Sequence, residues 1–180
     1  MAQPAPYPSD LEDHITLPND RVLHIRPLRR CEEGPVRELF SHLSPRTRYL
    51  RFLSPMPVLP DSVLSLIACV DYRRRLALLA ELDTADGAEV VALGGFGAID
   101  DGSAEVSLVV RDEWQQQGIG VAVAARVLQA AESRGFNRFV FHALWDNVGI
   151  RKLVGHVGHI VSSNTLRGVS EVSFVRRHAG

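Results

Sequence analysis

The residues with the clearest chemical potential form a turn between a run of β-branched residues and an alanine-rich stretch. The run from Glu105 to Val110 is typical of a strand, and the residues after the turn, as far as Arg134, predict a helix. N–H groups in the first turn of a helix lack partners within the helix, and they favour an anion such as a phosphate. The spacing therefore predicts a site for a phosphate-bearing cofactor. The turn consists of Gln115, Gln116, Gln117, Gly118, Ile119 and Gly120.

Three kinds of phosphate-binding loop could use such a turn, and their spacing separates them. A P-loop requires GxxxxGK[ST], which the sequence does not contain. A dinucleotide-binding loop requires GxGxxG or GxGxxA, but Val123 stands at the third position and Arg138 stands where an acid is expected. The third kind, Q/R-x-x-G-x-G/A between a strand and a long helix, matches at every fixed position from Gln115 to Gly120.

Length, charge and cysteine content limit the class of protein. The chain has 180 residues and a formal net charge of −1, which fits one globular domain and gives no overall attraction to nucleic acid or to an anionic membrane. We therefore expect neither as a partner. Cys31 and Cys69 lie in no CxxC or Cys/His array, so we expect no metal site and no disulfide framework.

The N-terminal residues predict a flexible lead-in rather than a targeting segment. Residues 1–10 are rich in proline and have neither a basic region nor an apolar core. No stretch reaches the ~18 apolar residues that cross a bilayer. We divide the chain into a flexible lead-in over residues 1–20 and one domain over residues 21–178. We expect a cytoplasmic protein that is a monomer or a homodimer.

Turn signals and periodicity give the order of the other elements. A strand over residues 22–26 precedes a helix over 32–42, and Ser44-Pro45 and Pro60-Asp61 each predict the start of a short helix. Residues 75–81, 90–99 and 104–110 predict an antiparallel meander. The helix over 118–134 and a strand over 137–143 complete a strand-helix-strand unit. A weak helix over 147–154 and a strand over 169–175 follow.

With this order of elements, the turn resembles the pyrophosphate loop of the GNAT superfamily of N-acyltransferases. Upstream segments look like the acyltransferase domain of bacterial protein-lysine acetyltransferases, and the resemblance covers residues 21–161. These segments are Ile25-Arg26-Pro27-Leu28, the run from Ser44 to Phe52, Val70-Asp71-Tyr72 and Ala104-Glu105-Val106. The resemblance implies a GNAT fold, which is an α/β single domain with a mixed, mostly antiparallel twisted sheet flanked by helices.

The resemblance also implies roles for individual residues. Acetyl-CoA is the implied co-substrate, with its pyrophosphate held by the backbone of the glycine turn. Glu105 corresponds to the glutamate proposed as general base for the acceptor amine, and the alternative is an exposed strand-end carboxylate. A backbone N–H near Val109 or Val110 would stabilise the charge of the tetrahedral intermediate. Asn147 corresponds to an asparagine that contacts the pantetheine arm or nearby water, and the alternative is a helix N-cap.

The last helix departs from the family pattern. Many relatives have a tyrosine there to protonate the departing thiolate, but this chain has Val154 at that position. The thiolate of coenzyme A is a fairly good leaving group, so bulk water or the ammonium product could supply the proton. Gly155, Gly158 and His159 also replace the usual Leu-Gly-Phe ending.

Several other reactive side chains are interpreted as structural. His142 is interpreted as a buried strand histidine and Cys69 as a helical core cysteine, because nothing in the sequence fixes them together as a nucleophile pair. Two groups of arginines are interpreted mainly as solvated surface, and the alternative is attraction of an acidic protein or of the adenosine phosphate. These arginines are Arg46, Arg48, Arg51, Arg73, Arg74 and Arg75.

The sequence therefore predicts an enzyme that transfers acetyl from acetyl-CoA directly to a primary amine, with a protein lysine as the expected acceptor. Two alternatives stay open. One is acetylation of a small amine on the same scaffold, and the other is a non-catalytic acyl-CoA-binding module that acts as a sensor. Glu105 separates the enzyme from the module, because only the enzyme needs a general base.

Overall fold

Within residues 5–85 and 87–178, which the structure describes, eight strands form one twisted sheet covered by helices. The structure is a computed structural model. The strands are β1 (Asp13–Thr16), β2 (Val22–Pro27), β3 (Arg75–Thr84), β4 (Gly87–Ala98), β5 (Ser103–Val110), β6 (Arg138–Leu144), β7 (Gly158–Leu166) and β8 (Val169–Arg176). The helices are α1 (Gly34–Ser41), α2 (Pro45–Phe52), α3 (Asp61–Ala68), α4 (Ile119–Glu132) and α5 (Val148–Val157). Short 3-10 helices lie at Ser9–Leu11 and Asp112–Trp114.

The sheet is antiparallel except at its centre. Its strand order is β1-β2-β3-β4-β5-β6-β8-β7, and β5 and β6 are the parallel pair. The predicted meander is β3-β4-β5, and the predicted strand-helix-strand unit is β5-α4-β6. The predicted fold class, a mixed and mostly antiparallel sheet flanked by helices, is confirmed.

The two parallel strands diverge soon after they meet. Residues 103–105 of β5 pair with residues 138–140 of β6, whereas β5 continues to Val110 and β6 to Leu144. The second half of β5 therefore has backbone N–H and C=O groups that face a gap rather than a strand. Such groups cost free energy unless water or a ligand satisfies them. The gap forms the floor of a cleft.

Helix α4 covers one face of the sheet because its apolar residues recur at helical spacing. Ile119, Val123, Val127 and Leu128 are fully buried, and α4 packs against β3, β4 and β5. A Cβ on Gly94 of β4 would lie 2.7 Å from the Val123 Cγ1 atom, so glycine is what permits this close approach. The helix that begins at the glycine turn is thus fixed firmly on the sheet.

Two strands lie outside the sequence prediction. β1 lies within residues 1–20, the predicted lead-in, and it pairs with β2. Leu11 and Leu17, on either side of β1 in the sequence, are buried. β7 follows α5 directly, and it is exposed along almost its whole length. The boundary at residue 21 stays a prediction, and residues 1–4 lie outside the described part. None of the helices in the described part has the length and apolar character needed to cross a bilayer.

Candidate active site

A cleft of about 550 Å³ opens where β5 and β6 diverge. It is bordered by the end of α2, the second half of β5, the glycine turn, β6 and α5. The predicted site residues that line it are Glu105, Val109, Val110, Gln115, Gln116, Gly118, Gly120 and Asn147. Two predicted residues point elsewhere. Ile119 is fully buried, and the Gln117 side chain donates to the Glu113 carbonyl (2.9 Å) and accepts from the Asn19 amide (3.3 Å).

The glycine turn approaches the cleft with two residues in the left-handed region. Gln116 has φ 60° and Gly118 has φ 87°, and Gly118 is the N-cap of α4. The Gln115 amide donates to the Val110 carbonyl at 3.0 Å, which ties the turn to the end of β5. The first N–H groups of α4 have no carbonyl partners within the helix. They form a positive helix end beside the cleft, where an anion is favoured.

Asp112 joins this turn to α2. Its carboxylate accepts hydrogen bonds from the Ser44 N–H (2.9 Å), the Ser44 hydroxyl (2.7 Å) and the Thr47 hydroxyl (2.7 Å). Burial alone would raise the pKa of Asp112, but these hydrogen bonds to the ionised form outweigh it, and the pKa lies below its usual range. The two sides of the cleft are therefore held together by a carboxylate that stays ionised.

The hydrogen-bond register shows which N–H groups of β5 face the cleft. The Ile99 N–H donates to the Ser103 carbonyl and the Arg111 N–H donates to the Val91 carbonyl, both at 2.9 Å. The β4–β5 pairing runs without a register shift between these bonds. Odd-numbered residues of β5 therefore bond to β4 and even-numbered residues point to the gap. The N–H groups of Leu108 and Val110 face the cleft, whereas that of Val109 is directed to β4.

Glu105 belongs to a chain of three polar side chains across three strands. The His142 Nδ1 atom lies 3.1 Å from the Glu105 Oε1 atom, and the His142 Nε2 atom lies 3.3 Å from the Glu171 Oε2 atom. His142 is opposite Glu171 in the β6–β8 register. The interpretation of His142 as a buried structural histidine is therefore wrong, because the diverging strands leave it half-buried at the cleft wall.

Asn147 is the helix N-cap that was the alternative interpretation, and its contact with the pantetheine arm stays a prediction. Its Oδ1 atom accepts a hydrogen bond from the Ile150 N–H at 3.2 Å, which makes it the N-cap of α5, and it also lines the cleft. Val154, the residue at the tyrosine position, is buried in α5 and carries no transferable proton. The titratable side chains of α5 that line the cleft are Lys152 and His156.

A second cavity, of about 270 Å³, meets the cleft at Glu105. Arg51, Glu105 and Ser107 line both spaces. Cys69 also lines the second cavity, and it is exposed at the end of α3, so its interpretation as a core cysteine is wrong. Arg51 is half-buried rather than fully solvated.

Sequence reasoning missed His142, Glu171 and Arg51 as parts of this site. Alternation in the β6 sequence does set His142 apart from the buried Phe139 and Phe141. That signal predicts which face of β6 His142 lies on, but it does not predict which residue His142 contacts. The contact depends on the register of β6 against β5, which a short stretch of sequence does not determine. In the described part of the chain, no three His, Cys, Asp or Glu side chains cluster so as to hold a metal ion. The prediction of no metal stays a prediction.

Comparison with known proteins identifies the class that this sheet and cleft define. The model of the Acetyltransferase (GNAT) family matches residues 37–158. The chain therefore belongs to this family, as predicted, and it is an acetyl-CoA-dependent acyltransferase.

Individual relatives are similar at low sequence identity. An acetyltransferase of Pseudomonas aeruginosa is 25% identical over 124 residues, which is 68% of this chain and 67% of that protein. The GNAT domain of S. lividans PAT superposes with a TM-score of 0.84 at 23% identity, over 94% of this chain and 99% of that one. The yncA protein of Salmonella typhimurium, solved with acetyl-CoA, gives a TM-score of 0.66 at 16% identity, over 88% and 96% of the two chains. These structural similarities establish the shared fold.

Proposed function

We propose that the protein transfers acetyl from acetyl-CoA to a lysine side chain of another protein by direct attack, with Glu105 as the general base. The observation that carries the proposal is the location of Glu105 at the point where β5 and β6 separate, with its carboxylate held by His142 at 3.1 Å. Further along the same strand, the Leu108 and Val110 N–H groups face the cleft. Base and oxyanion donors would thus come from one strand.

The residues around the cleft fit coenzyme A. The N–H groups at the start of α4 would bind the pyrophosphate, as the motif from Gln115 to Gly120 implies. The cleft-facing N–H group of Val110 would hydrogen-bond an extended pantetheine arm lying in the gap. Asn147 would contact the arm through the amide that it also uses as an N-cap.

Deprotonation of the acceptor is the first task of the protein. A lysine amine has a reference pKa near ~10.4, so at neutral pH it is almost entirely an ammonium ion without a free electron pair. Glu105 would accept one proton from the ammonium nitrogen and leave a neutral amine. His142 would keep the Glu105 carboxylate oriented toward the cleft during this transfer.

The chain would then stabilise the charge that develops. The amine nitrogen forms a bond to the thioester carbon, and the electron pair moves to the carbonyl oxygen, which a β5 N–H would stabilise. Leu108 is the cleft-facing donor closer to Glu105 along β5, so we assign the oxyanion to its N–H. The carbon–sulfur bond then breaks, and the positively charged nitrogen passes its extra proton to the departing thiolate, directly or through water, which leaves a neutral amide and the thiol of coenzyme A.

The choice of a protein lysine rests on α2 and on the likeness to the PAT domain. The run from Ser44 to Phe52, in which the upstream resemblance is concentrated, forms α2, and Arg51 and Phe52 of α2 line the cleft. The second cavity favours a small amine as the other candidate acceptor, because its volume is only about 270 Å³ and Glu105 lines it. The cytoplasmic location and the monomeric or dimeric state stay predictions.

Labelled acetyl-CoA tests the proposal. The purified protein would be incubated with it, first with a cell lysate and then with a panel of small amines, and the fate of the label would be measured by gel and by mass spectrometry. We expect label on lysines of proteins. Label on small amines alone would exclude the protein acceptor, and no transfer to any amine would exclude the proposed activity.

A further inference from the structure

The second cavity contacts Glu105 on the face of the sheet opposite α4, where an acceptor could approach it. The side chains of Leu108 and Val110 face α4, because they lie next to Gly120 of that helix. Side chains alternate along a strand, so those of Glu105 and Ser107 face the opposite side of the sheet. There the cavity is walled by Leu66 and Ile67 near the end of α3 and by glycine-rich residues of β4. We call this space the acceptor cavity.

The charged groups around the acceptor cavity are mostly cationic. Its ionised lining residues are Arg51, Arg75 and Glu105, which are two guanidinium groups and one carboxylate. An acceptor amine arrives as a cation. An acceptor with no other charge would therefore be repelled by both arginines and attracted only by the carboxylate that must take its proton. This balance of charge disfavours a plain amine.

Arg51 is the arginine of this group that lines both the cleft and the acceptor cavity. Among the described residues, Arg51 has no ion pair or side-chain hydrogen bond. Its Cζ atom lies 5.0 Å from the centre of the Phe52 ring, and its charge is attracted by Glu105. Removal from water lowers the pKa of Arg51, and the Glu105 carboxylate opposes this change. A half-buried guanidinium with no hydrogen-bonded anion is free to bind one, and hydrogen bonds between ionised groups are among the stronger ones in proteins.

We propose that the acceptor carries a carboxylate close to its reacting amine and that Arg51 binds this carboxylate. The inference rests on the proposed acetyl transfer and names its substrate class. A guanidinium can hold a carboxylate through two parallel hydrogen bonds, which fixes the distance between that carboxylate and the amine at Glu105. Two sources have this chemistry, a lysine next to an acidic residue in a protein and a free amino acid.

Paired acceptors test the inference. One pair is a peptide with lysine followed by glutamate and the same peptide with glutamine instead. The other pair is free lysine and its decarboxylated form, cadaverine. We expect kcat/KM to be about 10-fold or more higher for the acceptor with the additional carboxylate in at least one pair, as hydrogen bonds to a charged group predict. The pair with the larger ratio identifies the source.

Variants of Arg51 assign the preference to this residue. Arg51→Gln should bring the ratio close to 1, and Arg51→Lys should keep part of it because the charge remains without the paired hydrogen bonds. Arg46→Gln, on an exposed position of the same helix, is the matched control and should leave the ratio unchanged. The ratio compares two acceptors on one protein, so a general loss of activity does not obscure it. If Arg51→Gln does not fold, the ratio is measured with Arg51→Lys instead.

The possible results separate the two proposals. Transfer with equal kcat/KM within both pairs, or a preference that Arg51→Gln leaves intact, would overturn the role of Arg51 while leaving acetyl transfer in place. Absence of transfer to every amine would overturn both.

Discussion

At the scale of single residues, the chain from Glu105 through His142 to Glu171 determines how the base is held. A neutral imidazole has one N–H donor, whereas an imidazolium has two. Two ionised carboxylates can both accept from His142 only if the ring is protonated. His142 therefore links the Glu105 carboxylate to Glu171 on β8.

Substitution of His142 should lower the rate of transfer and leave cofactor binding unchanged. His142→Phe removes both hydrogen bonds, and we expect kcat to fall by about 10-fold, because a mispositioned base loses part of the contribution of general base catalysis. His142→Gln keeps one donor and should retain an intermediate rate. The measurements are kcat and the KM for acetyl-CoA.

A second histidine supplies the control. The His24 Nδ1 atom lies 3.3 Å from the Glu81 Oε2 atom across β2 and β3, which is a similar cross-strand pair outside the cleft. His24→Phe should leave kcat unchanged. Equal effects of the two substitutions would mean that His142 contributes only to the stability of the sheet.

Some of the site residues could be predicted from the sequence and others could not. Glu105 and the glycine turn could be located because their spacing follows a local motif. His142, Glu171 and Arg51 could not, since their contacts depend on strand register and on the packing of α2, and neither is encoded in a short window of sequence.

At the scale of elements, the junction of turn and helix depends on a backbone conformation that glycine tolerates. Gly118 and Gly135, at the two ends of α4, both have left-handed φ values, 87° and 92°. Alanine at either position should lower the free energy of unfolding by about 1 to 2 kcal/mol, which is the cost of the left-handed conformation for a residue with a Cβ. Urea unfolding would measure it.

Only one of these two substitutions should weaken the binding of acetyl-CoA. Gly118→Ala should weaken acetyl-CoA binding, measured by calorimetry, because the strained turn displaces the first N–H groups of α4. Gly135→Ala has the same backbone cost, but it lies just beyond the opposite end of α4 and should bind acetyl-CoA normally. Normal binding by both proteins would argue against the turn as the pyrophosphate site.

Asp112 makes the contact between the turn and α2 dependent on pH. Its folded-state pKa lies below the ordinary value of ~3.9, so its contribution to stability is present above about pH 4 to 5 and is lost as the pH falls through the folded-state pKa. Asp112→Asn should lower the free energy of unfolding at pH 7 by about 1 kcal/mol, from weakened hydrogen bonds to a charged group.

The pH dependence of this difference is the critical measurement. The difference in stability between the wild type and Asp112→Asn should decrease in urea unfolding as the pH falls from about 5 to 3. Asp83→Asn, at an exposed position on β3, is the control and should show no such decrease. A constant difference across that range would contradict the proposed role of the ionised carboxylate.

The elements predicted from sequence are those with a buried stripe. α4 and the meander from β3 to β5 have apolar residues at the periods of helix and strand, so local pattern was sufficient. β7 has almost no buried residue and β1 has only four residues, so neither carries a periodic signal. Pairing with β8 and β2 defines these two strands instead.

At the scale of the whole molecule, the divergence of β5 and β6 produces the site. It exposes backbone donors of β5 in the cleft on the side of α4, and it leaves Glu105 between that cleft and the acceptor cavity. The fold class could be predicted from sequence because the order of elements is characteristic. The acceptor cavity could not, because α2, α3 and β4 build it from distant parts of the chain.

The most direct test of the central claim is the substitution Glu105→Gln, assayed for both binding and transfer. Acetyl-CoA at about 100 times its Kd should stabilise the wild type and the variant alike, by about 2.7 kcal/mol, because Glu105 does not hold the cofactor. Transfer to an amine should fall by about 100-fold or more in the variant, which has no base. Glu38→Gln, at an exposed position on α1, should retain both properties. Equal transfer by Glu105→Gln and the wild type would contradict the account.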